Sequence, residues 1–465
     1  MRIIHLPTFV IFLCAGVLPY AEGSENHLSD LFSERYRSVA AVEYFIQFEM
    51  EREPREGIGV VLDEEGLIVL NEGVVPGWVP PEQFRDFRVF VPGEDNDGTP
   101  ATYLGQDHLT GWHYLRADAS VWESLVPITT FPRAELDLGE SLWGIHLLSG
   151  DYNYEPALLR SYVGLIREMP DEMGFTAEDI AVPGSVVFNF EGDFVGWANS
   201  GIPEDKILYM GRETFNVALQ SVRGTTVFLT AEPFFELAGR VPETVTGDPR
   251  PWIGIAGMEP LDKDVSEILG LEDQGAIVIS DILEGGPAEA AGLKGRDIVT
   301  AVDGKKLPKF LPRSLILRSF ERRLRKKTPG DTVTFTVLRD GGAEPIKVSI
   351  EMMAAPTTLR EAEREYFEPL GLTIREFTAF DGISRRILRL DFEGVIAQFV
   401  KKNSPESSAG LQPGDWIQEI DGTQVTSFDQ AVELLTGIVE DENREEYVML
   451  INRNNETQVL RIKRN

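Results

Sequence analysis

Two segments in the second half of the chain repeat one order of short motifs, and this repeat constrains the fold more than any other feature. Both contain Pro-x-x-x-Ala-Gly-Leu, then an aspartate, then Asp-Gly. An apolar-Gly-apolar sequence precedes this string, and a helical stretch and an alternating apolar strand follow it. The matching pieces are 252–255, 275–279, 286–299, 302–304 and 333–338 in the first segment, and 370–374, 394–397, 404–417, 420–422 and 447–451 in the second. The repeat predicts two small domains of one fold.

This order of motifs resembles tandem PDZ domains, and the resemblance implies a peptide-binding groove in each module. Glycine in the apolar-Gly-apolar loop lets backbone N–H groups converge on a carboxylate, because no Cβ blocks the approach. The next strand leaves an edge open, where the C-terminal tail of a partner pairs as an extra strand. The alternative for each module is a covered groove that only braces its neighbours. The expected binding residues are Ile253, Gly254 and Ile255 in the first module and Leu370, Gly371 and Leu372 in the second.

The region before residue 240 consists of short apolar runs separated by Gly, Pro and Asp, after a helix-like stretch over 28–42. Many short strands with regular turn signals favour an all-β barrel or sandwich. Runs of this kind lie at 59–62, 66–70, 87–91 and 193–197. Residues 242–251 are rich in Pro, Thr, Gly and Asp, which is typical of a linker.

An all-β region followed by two PDZ modules resembles the HtrA (Deg) family of periplasmic trypsin-like serine proteases. Matching landmarks occur in the family's order at 57–60, 66–68, Asn71, 104–107, 138–140 and 189–196. The resemblance implies a mostly β chain, with a trypsin-like double β-barrel followed by two α+β PDZ domains. The expected boundaries are 24–242 for the protease-like region, 243–355 for the first PDZ domain and 356–465 for the second.

Glycine stands at two of the three positions where the family pattern carries catalytic groups. A serine protease needs a histidine base beside the serine hydroxyl and a carboxylate that orients this base. The segment that contains the catalytic histidine in the family corresponds here to residues 70–75, with Gly73 at the histidine position. The segment that contains the family's aspartate corresponds to residues 107–115, with Gly111 at the aspartate position. Neither glycine can accept or orient a proton.

The position of the nucleophile has two alternatives. Alignment backward from Asn189 places Pro183 there, whereas alignment forward from Thr176 places Ser185 there. In the second case Pro183 falls where the family uses a backbone N–H in the oxyanion hole, and proline has no N–H. Loss of one such donor slows catalysis by roughly 100- to 1,000-fold. Both alignments predict an inactive enzyme.

A relocated base is the alternative that would preserve catalysis. The histidines after the expected signal peptide are His27, His108, His113 and His146. Residues two apart share a face of a strand, so His113 could point toward the site near Gly111. A structural role for His113 is the favoured interpretation. No spacing of His, Cys, Asp or Glu resembles a metal site, and no cofactor is expected.

The N-terminus predicts export. A positive start, an apolar run over 6–18 and small residues near 21–23 describe a secretory signal peptide over 1–23, with a retained anchor as the alternative. Cys14, the one cysteine, lies inside it, so the mature chain would hold no disulfide, which favours a bacterial periplasm. A net charge of −32 argues against nucleic acid or an anionic membrane as partner, because phosphate binding needs a positive face.

One stretch departs from this acidic character. Ten basic residues lie between Lys305 and Lys327, with Glu321 as the one acid among them. The family pattern places the stretch around the helix of the first PDZ domain. A basic rim there could attract acidic tails or the acidic protease-like domain, and a solvated helix face is the plainer interpretation.

These features predict an exported, proteolytically inactive HtrA-like protein. It would bind C-terminal tails or extended segments of envelope proteins, including unfolded ones, as a scaffold, sensor or chaperone-like holder. The family resemblance also implies a homotrimer or association with an active HtrA relative. The alternatives are a residual serine endopeptidase that uses Ser185 and a structural envelope protein with occluded grooves.

Overall fold

The computed structural model describes residues 23–118, 124–169, 171–199, 225–311, 313–340, 344–390 and 392–464. The expected signal peptide, 1–23, lies outside these residues except for Gly23. No helix within the described ranges is long and apolar enough to cross a membrane. The described residues form two closed barrels and two larger open sheets, which confirms the predicted mostly β fold class.

Six antiparallel strands close the first barrel in the order β1-β2-β3-β6-β5-β4. They are β1 (Val39–Gln47), β2 (Arg52–Val61), β3 (Leu67–Leu70), β4 (Phe84–Phe90), β5 (Thr99–Gln106) and β6 (His113–Ala117). The turn between β2 and β3 is set locally, because Oδ1 of Asp63 accepts the N–H groups of Glu65 and Leu67, each at 2.9 Å. Inside the barrel the rings of Tyr44 and Phe87 stack with centroids 4.8 Å apart.

The first helix is shorter than the sequence predicts. Helix α1 spans Gly23–Arg35 and a 3-10 turn spans Tyr36–Ser38, so the end of the helix-like stretch over 28–42 is strand. Val39 and Val42 are fully buried, and both pair with residues of β2. Because β-branched side chains pack well on a pleated surface, barrel closure outweighs the helical pattern here.

The second barrel has the strand order β10-β11-β12-β9-β8-β7. Its strands are β7 (Ser141–Leu147), β8 (Pro156–Glu168), β9 (Glu172–Thr176), β10 (Val186–Asn189), β11 (Phe194–Ala198) and β12 (Val227–Thr230). Helix α2 (Ala231–Ala238) follows β12. The barrels share one core. In it the ring centroids of Trp112 from the first barrel and Trp197 from the second barrel lie 4.6 Å apart, and the ring of Phe234 in α2 contacts both. Aromatic packing therefore joins the two barrels beside the cleft between them.

The first PDZ module contains a sheet of order β14-β15-β16-β18-β19 with β17 beside β16, and a separate pair formed by β13 and β20. Its strands are β13 (Pro251–Trp252), β14 (Ile255–Pro260), β15 (Ile277–Ile282), β16 (Ile298–Val302), β17 (Lys305–Lys306), β18 (Thr332–Leu338), β19 (Ile346–Glu351) and β20 (Met353–Ala354). Its helices are α3 (Lys263–Ile268), α4 (Pro287–Ala290) and α5 (Leu315–Arg325).

The second PDZ module has the order β21-β22-β23-β24-β26-β27 with β25 beside β24. Its strands are β21 (Arg364–Phe367), β22 (Leu372–Glu376), β23 (Val395–Val400), β24 (Trp416–Ile420), β25 (Thr423–Gln424), β26 (Glu446–Arg453) and β27 (Glu456–Lys463). Its helices are α6 (Ala379–Ser384), α7 (Pro405–Ser408) and α8 (Phe428–Glu440). The predicted last strand over 333–338 is followed by β19 and the short β20, and the one over 447–451 is followed by β27.

The aspartate of the repeated string has the same structural task in both modules. Asp297 is buried and forms an ion pair with Arg339, and Asp415 is buried and pairs with Arg453. Each aspartate also accepts a backbone N–H from the turn before it. A buried carboxylate is stable only when it is paired and hydrogen-bonded, so this part of the motif serves the fold of the module.

Candidate functional site

The cleft between the barrels is organised by Asn71, which follows β3 and is fully buried. Its Oδ1 accepts the N–H of Gly73 at 2.8 Å and the N–H of Val74 at 3.1 Å. Its Nδ2 donates to the carbonyl of Ala198 in the second barrel at 3.2 Å. Asn71 therefore links the barrels at the turn that holds Gly73, and Gly73 itself is exposed. The position matched to the family's histidine faces solvent and carries no side chain.

Gly111 ends a tight turn before β6. Its N–H donates to the carbonyl of Asp107 at 2.9 Å, and its φ of +76° lies in the left-handed region that favours glycine. The carboxylate of Glu72 lies beside it, since a Cβ on Gly111 would be 3.4 Å from Oε2 of Glu72. Glu72 was not among the predicted site residues. The one feature of the sequence that could have identified it is its position next to Gly73.

The two candidate nucleophile positions differ in exposure. Pro183 is exposed, whereas Ser185 is 0% exposed. The Ser185 hydroxyl donates to the carbonyl of Ile145 in β7 at 2.5 Å, inside the second barrel. A nucleophilic serine must instead reach both the substrate and a base. In this arrangement the hydroxyl proton of Ser185 is directed to a backbone carbonyl away from solvent.

His113 lies inside the first barrel. Arg360 Nη2 donates to the Tyr103 hydroxyl at 2.9 Å, and the oxygen of this hydroxyl is hydrogen-bonded to Nδ1 of His113, with the oxygen and nitrogen 2.7 Å apart. Burial, and then the nearby positive charge of Arg360, hold the pKa of His113 well below its ordinary value. His113 is thus a neutral, buried histidine, and no described histidine hydrogen-bonds to Ser185. His108 contacts Arg325 instead, through Nε2 to the Arg325 carbonyl at 3.2 Å.

The basic helix α5 of the first PDZ module lies against both barrels. Arg322 forms an ion pair with Asp171 in the turn between β8 and β9, and Nη1 of Arg325 donates to the carbonyl of His108 at 3.4 Å. A cavity of about 340 Å³ separates the helix from the cleft, with Glu72 and Trp112 in its wall. The sequence offers acidic tails or the protease-like domain as partners of the basic stretch. The structure shows the contact with the protease-like domain.

The apolar-Gly-apolar loop of the first PDZ module directs its N–H groups away from the domain. The carbonyl of Ile253 accepts the N–H of Ala288 at 2.8 Å, and the carbonyl of Gly254 accepts the N–H of Leu283 at 2.9 Å. Since C=O and N–H of a trans peptide point in opposite directions, the N–H groups of Gly254 and Ile255 face outward. Strand β14 is the edge of its sheet, and α5 contacts it across the groove. Outward N–H groups beside an open strand edge are able to donate hydrogen bonds to a carboxylate.

The corresponding loop of the second PDZ module is the turn of a hairpin. The N–H of Leu370 donates to the carbonyl of Phe367, and the N–H of Gly371 donates to the carbonyl of Glu368, both at 3.1 Å. Leu372 pairs with Phe367, so β21 covers the edge of β22. β21 also contacts α8, and the Phe367 side chain lies in the module's core. This differs from the open groove that the motif predicts, because the chain fills the groove itself.

The second PDZ module is fixed to the first barrel by a buried arginine. Arg360, 8% exposed, donates to the carbonyl of Val79 at 3.1 Å, to Oε1 of Gln106 at 2.7 Å and to the Tyr103 hydroxyl. Thr373 of β22 donates to Glu49 in the turn between β1 and β2 at 2.8 Å. No sequence signal distinguished Arg360 from other arginines, because its role depends on the packing of distant segments. Within the described ranges, no group of three or more His, Cys, Asp or Glu residues could hold a metal ion.

The geometry defines a double-barrel protease fold followed by two PDZ domains, and comparison with known proteins agrees. Residues 251–350 and 362–443 each match the PDZ domain family. A probable periplasmic serine endoprotease DegP-like from Pseudomonas fulva is 24% identical over 388 residues, which cover 80% of this chain and 71% of the relative. The protein of the same description from Chlamydia trachomatis is 22% identical, over 90% of this chain and 76% of the relative.

A solved structure shows the same fold over most of the chain. The structure described as "HtrA-type protease AlgW with tripeptide" superposes with a TM-score of 0.50 at 17% identity, covering 70% of this chain and 97% of the other. The two PDZ matches, the extent of the DegP-like relatives and this fold together support an HtrA-type protein, to which the chain is similar over most of its length.

Proposed function

We propose that this HtrA-like chain captures polypeptide tails without cleaving them. The observation that carries the proposal is the state of Ser185, whose hydroxyl is fully buried and donates to the carbonyl of Ile145. The positions matched to the family's base and orienting carboxylate, Gly73 and Gly111, supply no group that could activate it. Pro183, at the other candidate position, has no hydroxyl and no backbone N–H.

The receptor in this proposal is the first PDZ module. The outward N–H groups of Gly254 and Ile255 would accept a terminal carboxylate, and the open edge of β14 would pair with the residues before it. The second module would hold the first barrel through Arg360 rather than bind a tail. The partners would be C-termini or unfolded segments of exported proteins, since the relatives are described as periplasmic. A homotrimer or an active HtrA relative as a further partner stays a prediction from the family resemblance.

Active-site labelling tests the loss of chemistry. The chain without residues 1–23 is treated with a fluorophosphonate probe and with casein, beside a Ser185→Ala variant. We expect no labelling and no cleavage in either protein. Labelling or cleavage that disappears in the variant would instead establish the alternative, a serine endopeptidase that uses Ser185.

Tail binding separates the proposal from a purely structural envelope protein. A peptide library with free C-termini and the same library with amidated C-termini are compared for binding to the unlabelled protein. We expect binding that requires the free carboxylate. Absence of binding from both libraries would support the structural alternative.

A further inference from the structure

A second recognition surface lies at the junction of the second barrel and the first PDZ module. It is a trough of about 770 Å³ between the β8–β9 hairpin and the module, within the range of about 300–1,000 Å³ typical of ligand sites. We call it the junction trough. It is distinct from the tail groove, which lies between β14 and α5 with its carboxylate loop at Gly254.

The floor and rim of the junction trough are apolar. Phe175 and Leu165 come from the barrel side, and Phe310 and Leu311 come from the PDZ side. Leu165 is 40% exposed and Leu311 is 85% exposed. Apolar side chains this exposed, grouped on two domains around one cavity, are typical of a surface that contacts a partner. The exposure of Leu311 also shows that the trough is open along its rim, as a polypeptide ligand requires.

The walls of the junction trough are basic. Arg167, Lys309, Arg323 and Lys326 face it together with one acid, Glu168. The other two charges of its lining, Arg322 and Asp171, neutralise each other in the ion pair between the domains. In a chain of net charge −32 this excess of positive charge is a local exception. Such a field attracts carboxylates and repels basic segments.

Arg323 adds a specific demand for an acceptor. Its Nη1 is buried and has no hydrogen-bond partner among the described residues. An unsatisfied buried donor on a charged group costs free energy, and a carboxylate satisfies a guanidinium with strong, charge-assisted bonds. None of the described carboxylates pairs with Arg323. A ligand carboxylate could therefore supply the missing hydrogen-bond acceptor.

We propose that the junction trough binds an internal acidic segment of a polypeptide, in which Asp or Glu alternates with apolar side chains. The carboxylates would contact Arg323, Lys326, Lys309 and Arg167, and the apolar side chains would pack on the exposed leucines and phenylalanines. This binding needs no free C-terminus. The chain would therefore hold a client at two places, by its tail in the PDZ groove and by an acidic segment in the trough.

The test uses the chain without residues 1–23 and a rhodamine-labelled peptide that alternates aspartate with leucine or phenylalanine and is amidated at its C-terminus. Fluorescence anisotropy measures its affinity, and a lysine-for-aspartate version of the peptide is the charge control. We expect binding of the acidic peptide alone, weakened by raising NaCl from about 50 to about 300 mM. No binding of the acidic peptide, or equal binding of the two peptides, would overturn the proposal.

Charge reversal locates the site. Arg323→Glu with Lys326→Glu should weaken the peptide by about tenfold or more, because attraction becomes repulsion. Lys305→Glu with Lys306→Glu is the matched control, since both lysines are exposed on the same module outside the trough, and it should change affinity by less than about twofold. Leu311→Asp is a second trough variant that leaves the buried core intact. Equal losses in the control pair, or an unchanged affinity in both trough variants, would contradict the assignment.

A substitution in the tail groove separates this proposal from the proposed function. Gly254→Val should leave binding of the amidated acidic peptide unchanged while it removes binding of free tails. If the same substitution abolished both, the acidic peptide would belong to the PDZ groove and the junction trough would not be a site.

Discussion

The two PDZ domains share a motif string and a strand order, yet they differ at the sheet edge where a ligand would pair. In the first, β14 is an edge strand and the carbonyl of Gly254 is bonded inward, which turns the next N–H outward. In the second, the carbonyl of Gly371 is bonded inward in the same way, to the N–H of Lys401 at 2.7 Å, but β21 occupies the outer side. One local geometry thus lies beside an open strand edge in one module and beside an internal strand pair in the other.

The largest expected effect separates the two loops. Gly254→Val should weaken binding of a free-carboxylate tail by about 30-fold or more, because charge-assisted hydrogen bonds to the loop are each worth about 1.5–3 kcal/mol. The φ of +79° at Gly254 disfavours a β-branched residue, and a Cβ there would lie 3.1 Å from Pro287. Fluorescence anisotropy with a labelled tail measures the change, and thermal unfolding monitors the fold.

Gly371→Val is the matched variant. It should lower the thermal stability, because a Cβ would lie 2.7 Å from Cβ of Lys401, but leave the affinity for tails unchanged. Equal losses of tail affinity in the two variants would mean that the second groove is also a receptor, and the contrast between the modules would fail.

The next effect concerns how each module is attached. Arg360→Met removes hydrogen bonds to Val79, Gln106 and Tyr103 and should lower the free energy of unfolding by about 2–4 kcal/mol, because buried acceptors lose a charged donor. Arg461→Met, in an exposed ion pair of the same module, should cost less than about 1 kcal/mol. Urea unfolding measures both. A small effect at Arg360 would show that the second module is not anchored through this side chain.

Much of the architecture follows from local patterns, whereas the difference between the modules does not. The Pro-x-x-x-Ala-Gly-Leu string and the strand runs predict the PDZ sheets and the barrels, because turns and alternation act within a few residues. The occupied groove depends on whether β21 folds back on β22, which the motif at 370–372 does not encode. Arg360 and Glu72 become recognisable only when distant segments meet. The burial of Ser185 likewise depends on Ile145, forty residues away in sequence.

A pH dependence tests the buried network behind Arg360. The folded-state pKa of His113 is lowered, by burial first and by Arg360 second, from an ordinary value of about 6.5. Below about pH 6.5 the unfolded chain binds a proton at His113 that the native chain does not bind. The contribution of His113 to the free energy of unfolding is therefore fully present above this pH and is lost as the pH falls. The loss approaches about 1.4 kcal/mol per pH unit. His113→Gln should flatten the pH dependence of the unfolding free energy between about pH 7.5 and 5. An identical slope in wild type and variant would place His113 in a solvated site.

The smallest effect distinguishes the attachment of the first module from that of the second. Arg322 and Asp171 are partly exposed, at 17% and 24%, so salt screens their ion pair more than it screens the buried hydrogen bonds of Arg360. Arg322→Ala should cost about 1 kcal/mol or less at low salt, with a smaller loss at high salt. Hydrogen exchange of α5 should then increase with NaCl concentration, while exchange of β22 stays constant. If β22 responded to salt as strongly as α5, both modules would be attached by screened charges. Because Arg322 lies on α5 and Asp171 in the β8–β9 turn, release of this ion pair would loosen the first module from the second barrel while the second module stayed in place.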